Sequence, residues 1–301
     1  MKTSDRNNYV AGVDIGGSHI TVALINISNR VILQSSWCRE AVNASGPAEY
    51  IIATWASVIK KCFATVDVQP GLIGIAMPGP FDYESGIAWM KDQGKFRELY
   101  GLNVGDLLSQ QLNIPAGSII FNNDASCFLQ GELFCGVAKG YTDVAGLTLG
   151  TGFGSAIASQ DGVVDAAFWN APFKNGIAED YLSGRSLVET YSSLSNRTIE
   201  QAKLLFDIAG QDIFAREAFN IFGNDLAKFL NETSWPKEPE LIVLGGSISN
   251  AFELFAPAVK DNLLNPRIRI AKSVLGENAA LIGAASMWQE HVKMDHMKTP
   301  A

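Results

Sequence analysis

The sequence predicts an α/β protein built from two related halves. Short β-branched apolar runs alternate with amphipathic helical stretches, glycine-rich turns close several of the runs, and one strand-turn-strand pattern returns about half a chain later. A chain of 301 residues has length for about two domains, and 47% hydrophobic with 18% charged residues is the balance of a folded protein with real cores.

In chain order, Tyr9 to Val13 and Ile20 to Ile27 read as two strands joined by Asp14-Ile15-Gly16-Gly17-Ser18, a hairpin rather than a strand entering a helix. Val31 to Ser36 continues as a third strand. Ala48 to Ala64 has helical spacing after Ser45-Gly46-Pro47, and Leu72 to Met77 is a buried-type strand ending in Pro78-Gly79-Pro80. Leu102 to Leu112 reads as a helix, Ser118 to Phe121 as a strand, and Asn122-Asn123-Asp124 supplies capping residues for a helix running to about Val137. The pattern then restarts: strand Asp143 to Leu149, glycine turn Gly150 to Gly154, strand Ser155 to Ser159. Helices follow at Glu179–Leu194, Thr198–Ala209 and Asp212–Thr233, then strand Leu241 to Leu244, helix Ala251–Leu264 and helix Ala279–Glu290. The polar tail from His291 to Ala301 reads as frayed. The expected halves are residues 1–121, completed by the helix at 279–290, and residues 122–278, with 291–301 as a tail.

Net charge of −8 argues against a nucleic-acid surface, because such surfaces need lysine and arginine to neutralise phosphates. Any bound nucleotide is therefore expected to rest on backbone amides and a metal ion. The polar first residues and the lack of an apolar run approaching roughly 18 residues predict a cytoplasmic protein without a membrane partner. Cys38, Cys62, Cys127 and Cys135 have neither disulfide nor zinc spacing and read as buried, reduced thiols, while His19, His291 and His296 show no ligand spacing and read as non-catalytic.

Three glycine turns can carry chemistry, although each alone reads equally well as an ordinary turn. At the first, exposed amides of Gly16, Gly17 and Ser18 can hold a phosphate, and Asp14 can hold a magnesium ion through water. At the second, Gly150, Thr151, Gly152 and Gly154 offer amides and a hydroxyl without Walker or Rossmann spacing. At the third, side-chain-free Gly245 and Gly246, followed by Ser247, can let an adenine ring lie on the main chain. Pro78-Gly79-Pro80 is a stiff pocket-lining turn, and Asp124 sits at a predicted helix start, where amides and the helix dipole favour an ionised carboxylate.

In order and spacing, Asp14-Ile15-Gly16-Gly17, Pro78-Gly79-Pro80, Asn123-Asp124-Ala125, Leu149-Gly150-Thr151-Gly152-Phe153-Gly154 and Leu244-Gly245-Gly246 resemble the motif series of the ROK family (repressors, open reading frames and sugar kinases) over roughly residues 9–290. That resemblance implies a two-lobed actin-like ATPase (ribonuclease H-like) fold with a central cleft. It implies ATP-dependent phosphorylation of a hexose or N-acetylhexosamine, with ATP and Mg2+ as cofactors and room for a homodimer. Asp124 is implied as catalytic base, Gly79 and Asn123 as sugar contacts, and the glycine turns as the ATP site; Asn170 and Glu179 are further candidate sugar contacts that the resemblance does not fix.

The chain departs from the family between Asp165 and Gly176, where no Glu-x-Gly-His and no cysteine cluster occurs, so no zinc and an altered sugar pocket are expected. Asp165, Trp169, Asn170 and Lys174 are open candidates for the missing sugar contacts, and Phe168, Trp169 and Phe173 read equally as packing residues. A non-catalytic sugar sensor and an actin-like phosphotransferase acting on a non-sugar substrate stay open as competing readings. Regulators of the family carry an N-terminal helix-turn-helix, for which the eight residues ahead of the first strand are too few.

Overall fold

A computed structural model describes residues 9–66 and 69–289. The expectations for His291, His296 and the tail 291–301 lie outside the described residues. The chain divides into two units, one comprising residues 1–135 with 277–301 and the other residues 136–276.

The first unit opens with β1 (Tyr9–Ile15), β2 (His19–Asn26) and β3 (Val31–Ala41), followed by α1 (Ala48–Ala64) and β4 (Ile73–Met77). A short hairpin, β5 (Phe81–Asp82) and β6 (Ile87–Ala88), precedes α2 (Val104–Leu112), β7 (Ile119–Asn123) and α3 (Asp124–Cys135). The sheet order is β3-β2-β1-β4-β7. The first three strands form an antiparallel meander, and β4 and β7 add parallel to β1. Buried Trp55, Ile51, Ile59 and Phe63 of α1 pack on Val13, Ile20 and Val22 of the sheet, as the helical spacing requires.

The second unit repeats this plan. Its sheet elements are β8 (Val144–Leu149), β9 (Phe153–Ser159), β10 (Gly162–Asp165), a two-stranded ribbon of β11 (Pro172–Phe173) and β12 (Gly176–Ile177), and later β13 (Leu241–Gly245) and β14 (Arg269–Lys272). The helices are α4 (Gly184–Ser195), α5 (Ala202–Ile208), α6 (Ile213–Glu232) and α7 (Phe252–Asn262). The main sheet runs β10-β9-β8-β13-β14, again an antiparallel meander joined by two parallel strands. The halves inferred from the repeated hairpin thus share one topology. Asp212 caps α6 by accepting hydrogen bonds from the Phe214 and Ala215 amides, which explains why that helix starts where the sequence places it.

The boundary differs from expectation, because α3 belongs to the first unit and the break falls after Cys135 rather than at Phe121. Close packing of α3 against α8 (Asn278–Ser286) is the reason. A Cβ on Gly283 would stand 1.8 Å from the Cys127 carbonyl oxygen, and one on Gly131 would stand 2.0 Å from that of Ala279. The same helix lies directly on the sheet, since Cβ atoms on Gly12 and Gly74 would meet the carbonyl oxygens of Leu281 and Ala284 at 2.0 and 1.9 Å. The helix expected at residues 179–194 starts later, at Gly184, after a single 3₁₀ turn over Ala178–Asp180.

Candidate active site

β1 extends to Ile15, so Asp14 is a strand residue and only Gly16, Gly17 and Ser18 form the exposed turn. The Gly16 amide donates to the His19 carbonyl at 2.9 Å, closing the hairpin and leaving the turn uncovered. Register places Asp14 opposite Thr21 of β2, which in turn stands opposite Arg39 of β3, while Ala76 of β4 and Asn122 of β7 complete the row. Directly paired residues share a sheet face. Arg39 also pairs with Glu277 at 3.1 Å.

Asp124 is the first residue of α3, and Asn123 before it is the cap. Asn123 Oδ1 accepts from the amides of Ala125 (2.9 Å) and Ser126 (3.1 Å), whereas Asn122 is engaged with the Asn123 amide at 2.8 Å. The sequence offered Asn122, Asn123 and Asp124 as capping residues; of these the structure uses Asn123. Asp124 Oδ1 lies 2.9 Å from the Ala125 amide nitrogen, and the residue is exposed. Asn123 Nδ2 donates to the Tyr83 hydroxyl at 3.3 Å, that hydroxyl donates to the Met77 carbonyl at 3.1 Å, and a Cβ on Gly79 would stand 3.4 Å from it. Gly79, Tyr83, Asn123 and Asp124 are thereby gathered in one place.

Burial, and next the negative charge of Asp124, push the Asp14 carboxyl from 3.8 up to about 7, with Arg39 acting in the opposite sense and Glu277 adding to the rise. The two acids therefore belong to one electrostatic neighbourhood. In the unfolded chain Asp14 ionises near 3.8, so the stability it contributes is present below that pH and is lost as pH rises through about 7. Asp14→Asn is expected to flatten this slope, raising the melting temperature relative to wild type at pH 8 but not at pH 4. Parallel melting curves for the two proteins across that range would remove Asp14 as its source.

Lys95 was not singled out by sequence and has no motif to mark it. It is the one half-buried lysine among the described residues, makes no ion pair or hydrogen bond there, and its Cδ would lie 3.3 Å from a Cβ on Gly17. Its neighbour Phe96, fully buried and edge-on to Trp55 at 5.2 Å, anchors it beside the first turn.

The second unit brings its two glycine turns together. Gly246, with φ of 79°, packs so tightly that a Cβ would stand 2.3 Å from the Leu149 carbonyl oxygen, and a Cβ on Gly150 would stand 3.7 Å from Ser247 Oγ. Gly245 ends β13 buried, while Gly246 and Ser247 are exposed. In the second turn the Gly150 amide donates to the Gly152 carbonyl at 3.0 Å, Thr151 is exposed, and Gly154 pairs with Thr148 as part of β9. Glu179 braces this turn: its Oε2 accepts from the Phe153 amide at 2.9 Å and would be 2.7 Å from a Cβ on Gly152. Asn170 ends an exposed 3₁₀ turn, and Asp165 accepts from the Ala167 amide at 2.8 Å.

Aromatic packing holds the departing segment. Phe173 and Phe168 lie edge-on to Phe229 at 5.6 and 6.1 Å, Tyr181 packs on Phe173 at 5.5 Å, and Trp169 is exposed. Lys174 pairs with Asp225, and its Nζ lies 4.7 Å from the Tyr181 ring centre. Among the described residues no three histidine, cysteine or acidic side chains gather as a metal site, and no helix there is long and apolar enough to cross a membrane. Cys62 and Cys127 are buried, Cys38 and Cys135 half-buried.

Paired units of identical topology, each carrying exposed glycine turns at the ends of central strands, define an α/β protein of the actin-like class, and solved structures of the same architecture agree. The chain belongs to the ROK family, which it matches over residues 10–166 and 174–291. Glucokinase of Thermotoga maritima is 27% identical, over 93% of this chain and 97% of its own. N-acetylgalactosamine kinase AgaK of Shewanella sp. is 26% identical, over 91% and 94%. The crystal structure of a ROK family glucokinase from Streptomyces griseus in complex with glucose and AMPPNP superposes with a TM-score of 0.77 at 23% identity, covering 93% of this chain and 98% of that one.

Proposed function

We propose that the chain transfers the γ-phosphoryl group of ATP to a hydroxyl of a hexose or N-acetylhexosamine. Full-length likeness to a glucokinase and an N-acetylgalactosamine kinase supports the substrate class. The observation that carries the reaction is the exposed Asp124 carboxylate at the start of α3, in one electrostatic neighbourhood with Asp14 beside the first glycine turn.

Asp124 accepts the proton of the sugar hydroxyl, whose oxygen forms a bond to the γ-phosphorus as the bond to the β,γ-bridging oxygen breaks and ADP departs. In the first unit the exposed amides of Gly16, Gly17 and Ser18, with the Lys95 ammonium, suit phosphate oxygens, and in the second unit the neighbouring turns Gly150 to Gly152 and Gly245 to Ser247 suit a nucleotide. A desolvated carboxylate beside a second acid gains from a cation, so Asp14 suits a magnesium ion held through water, which when bound neutralises phosphate charge. The aromatic cluster around Phe229 does the cohesive work in the segment where the family carries zinc, and the chain works without that metal. One tightly held zinc per chain in elemental analysis would refute this last point.

The test of the function is ADP release across hexoses and N-acetylhexosamines in the presence of Mg-ATP. Sugar-dependent release is expected. Sugar binding by thermal shift with no release for any sugar would overturn the reading in favour of a sensor. Glu179→Ala is expected to raise the KM for ATP about tenfold, because losing a charge-assisted hydrogen bond of about 1.5–3 kcal/mol frees the second turn; Glu179→Gln, still an acceptor, should recover most of it. A rise in sugar KM alone would instead make Glu179 a sugar contact.

A further inference from the structure

Asn123 has almost no hydrogen-bonding capacity to spare. A side-chain amide has two acceptor sites on oxygen and two N–H donors. Both acceptor sites of Asn123 are taken by the Ala125 and Ser126 amides, and one donor is taken by the Tyr83 hydroxyl at 3.3 Å. The orientation is not reversible, since turning the amide over would set its NH2 group against two backbone N–H donors. What is left for a ligand is a single N–H.

The Tyr83 hydroxyl is itself directed, because it donates its proton to the Met77 carbonyl at 3.1 Å and so must present a lone pair to Asn123. Its ring rests on Phe81 at 5.5 Å, and Phe81 rests on Phe121 at 5.0 Å, two residues before Asn123 on β7. The tyrosine thus joins the end of β4, the Pro78-Gly79-Pro80 turn and the start of α3.

We infer that Tyr83 is a positioning residue that holds Asn123 as a donor-only contact, so that the substrate group meeting Asn123 must accept a hydrogen bond beside the hydroxyl that Asp124 deprotonates. A neighbouring hydroxyl or carbonyl oxygen satisfies that demand. An ammonium group, which can only donate, does not. This rests on the proposed kinase reading and deepens it by stating what the sugar must offer next to its reacting hydroxyl.

The experiment uses the full chain, Mg-ATP and the best sugar of the activity panel, with its monodeoxy and amino-deoxy analogues. Tyr83→Phe is expected to raise the sugar KM about tenfold, the worth of one hydrogen bond near 1.4 kcal/mol, with the KM for ATP unchanged. Asn123→Ser keeps a capping oxygen for α3 but removes the amide donor, and should raise the sugar KM at least as much. If Tyr83 acts through Asn123, the double variant loses no more than Asn123→Ser alone. One deoxy analogue should be penalised in wild type but not in Asn123→Ser, and an ammonium at that position should cost wild type more than the deletion does.

Additive losses in the double variant, an equal rise in both KM values, or an unchanged sugar KM in Tyr83→Phe would each overturn the inference while leaving the kinase reading intact. A wild-type chain that phosphorylates no sugar takes both down together.

Discussion

Asp124→Asn is expected to lower turnover by about 10²–10⁴-fold, the range that a positioned general base contributes, while leaving the folded chain nearly as stable as wild type. The amide keeps an oxygen that can still meet the Ala125 amide, and the cap belongs to Asn123, so α3 keeps its start. The cost to the helix is the loss of a negative charge at its positive end, about 0.3–1 kcal/mol. A second readout follows from the coupling of the two acids. With Asp124 neutral, one cause of the raised Asp14 carboxyl disappears, so the pH window over which stability is lost should shrink towards 3.8 from its upper end near 7, and the cost that Asp14 still carries at pH 8 should be smaller. Turnover in a coupled ADP assay and melting temperature against pH measure the two effects separately. Near-normal turnover would remove Asp124 from the role of base, whatever the melting curves show.

Gly283→Ala is expected to destabilise the first unit by about 3 kcal/mol or more, the upper end of what overpacking costs. The added methyl would stand 1.8 Å from the Cys127 carbonyl oxygen and 2.7 Å from the Gly131 nitrogen. Those are backbone atoms inside helices, so no side-chain rotation relieves the collision and α3 or α8 must shift bodily. Because Asp124 opens α3 and Asp14 lies on the strand next to Gly12, which α8 also touches, turnover should fall along with stability. Urea unfolding measures the first effect. A variant within about 0.5 kcal/mol of wild type, the ordinary scale of a surface substitution, would show that the helices are not pinned at this crossing.

Much of the fold was legible because it repeats local patterns. α1 spans Ala48–Ala64, as its periodicity predicts, and the meander of each unit follows from paired apolar runs around a glycine turn. The elements that were missed are short: β5 with β6, β11 with β12, and β10 and β14 at a sheet edge. Strands of two to four residues have too few alternations to show a period, and their existence depends on the partner strand rather than on their own sequence. The β11–β12 ribbon is held by Phe173 packing on Phe229, a residue distant in the chain, and no local signal announces that contact.

The chemistry divides along the same line. By itself, the sequence determined the family, the α/β class and the repeated halves, and it marked Asp124 and the glycine turns as candidates, because these depend on residue type, order and short spacing, which a single chain displays directly. Only the tertiary structure decided that Asn123 rather than Asn122 caps α3, that Tyr83 commits the Asn123 amide, that Glu179 braces the second turn, that Lys95 stands beside the first, and that α3 packs with α8 in the first unit rather than opening the second. Each of these is a contact between groups far apart in sequence or a choice among adjacent equivalent side chains, and hydrogen-bond geometry and close packing settle such choices only after the backbone has been placed in space.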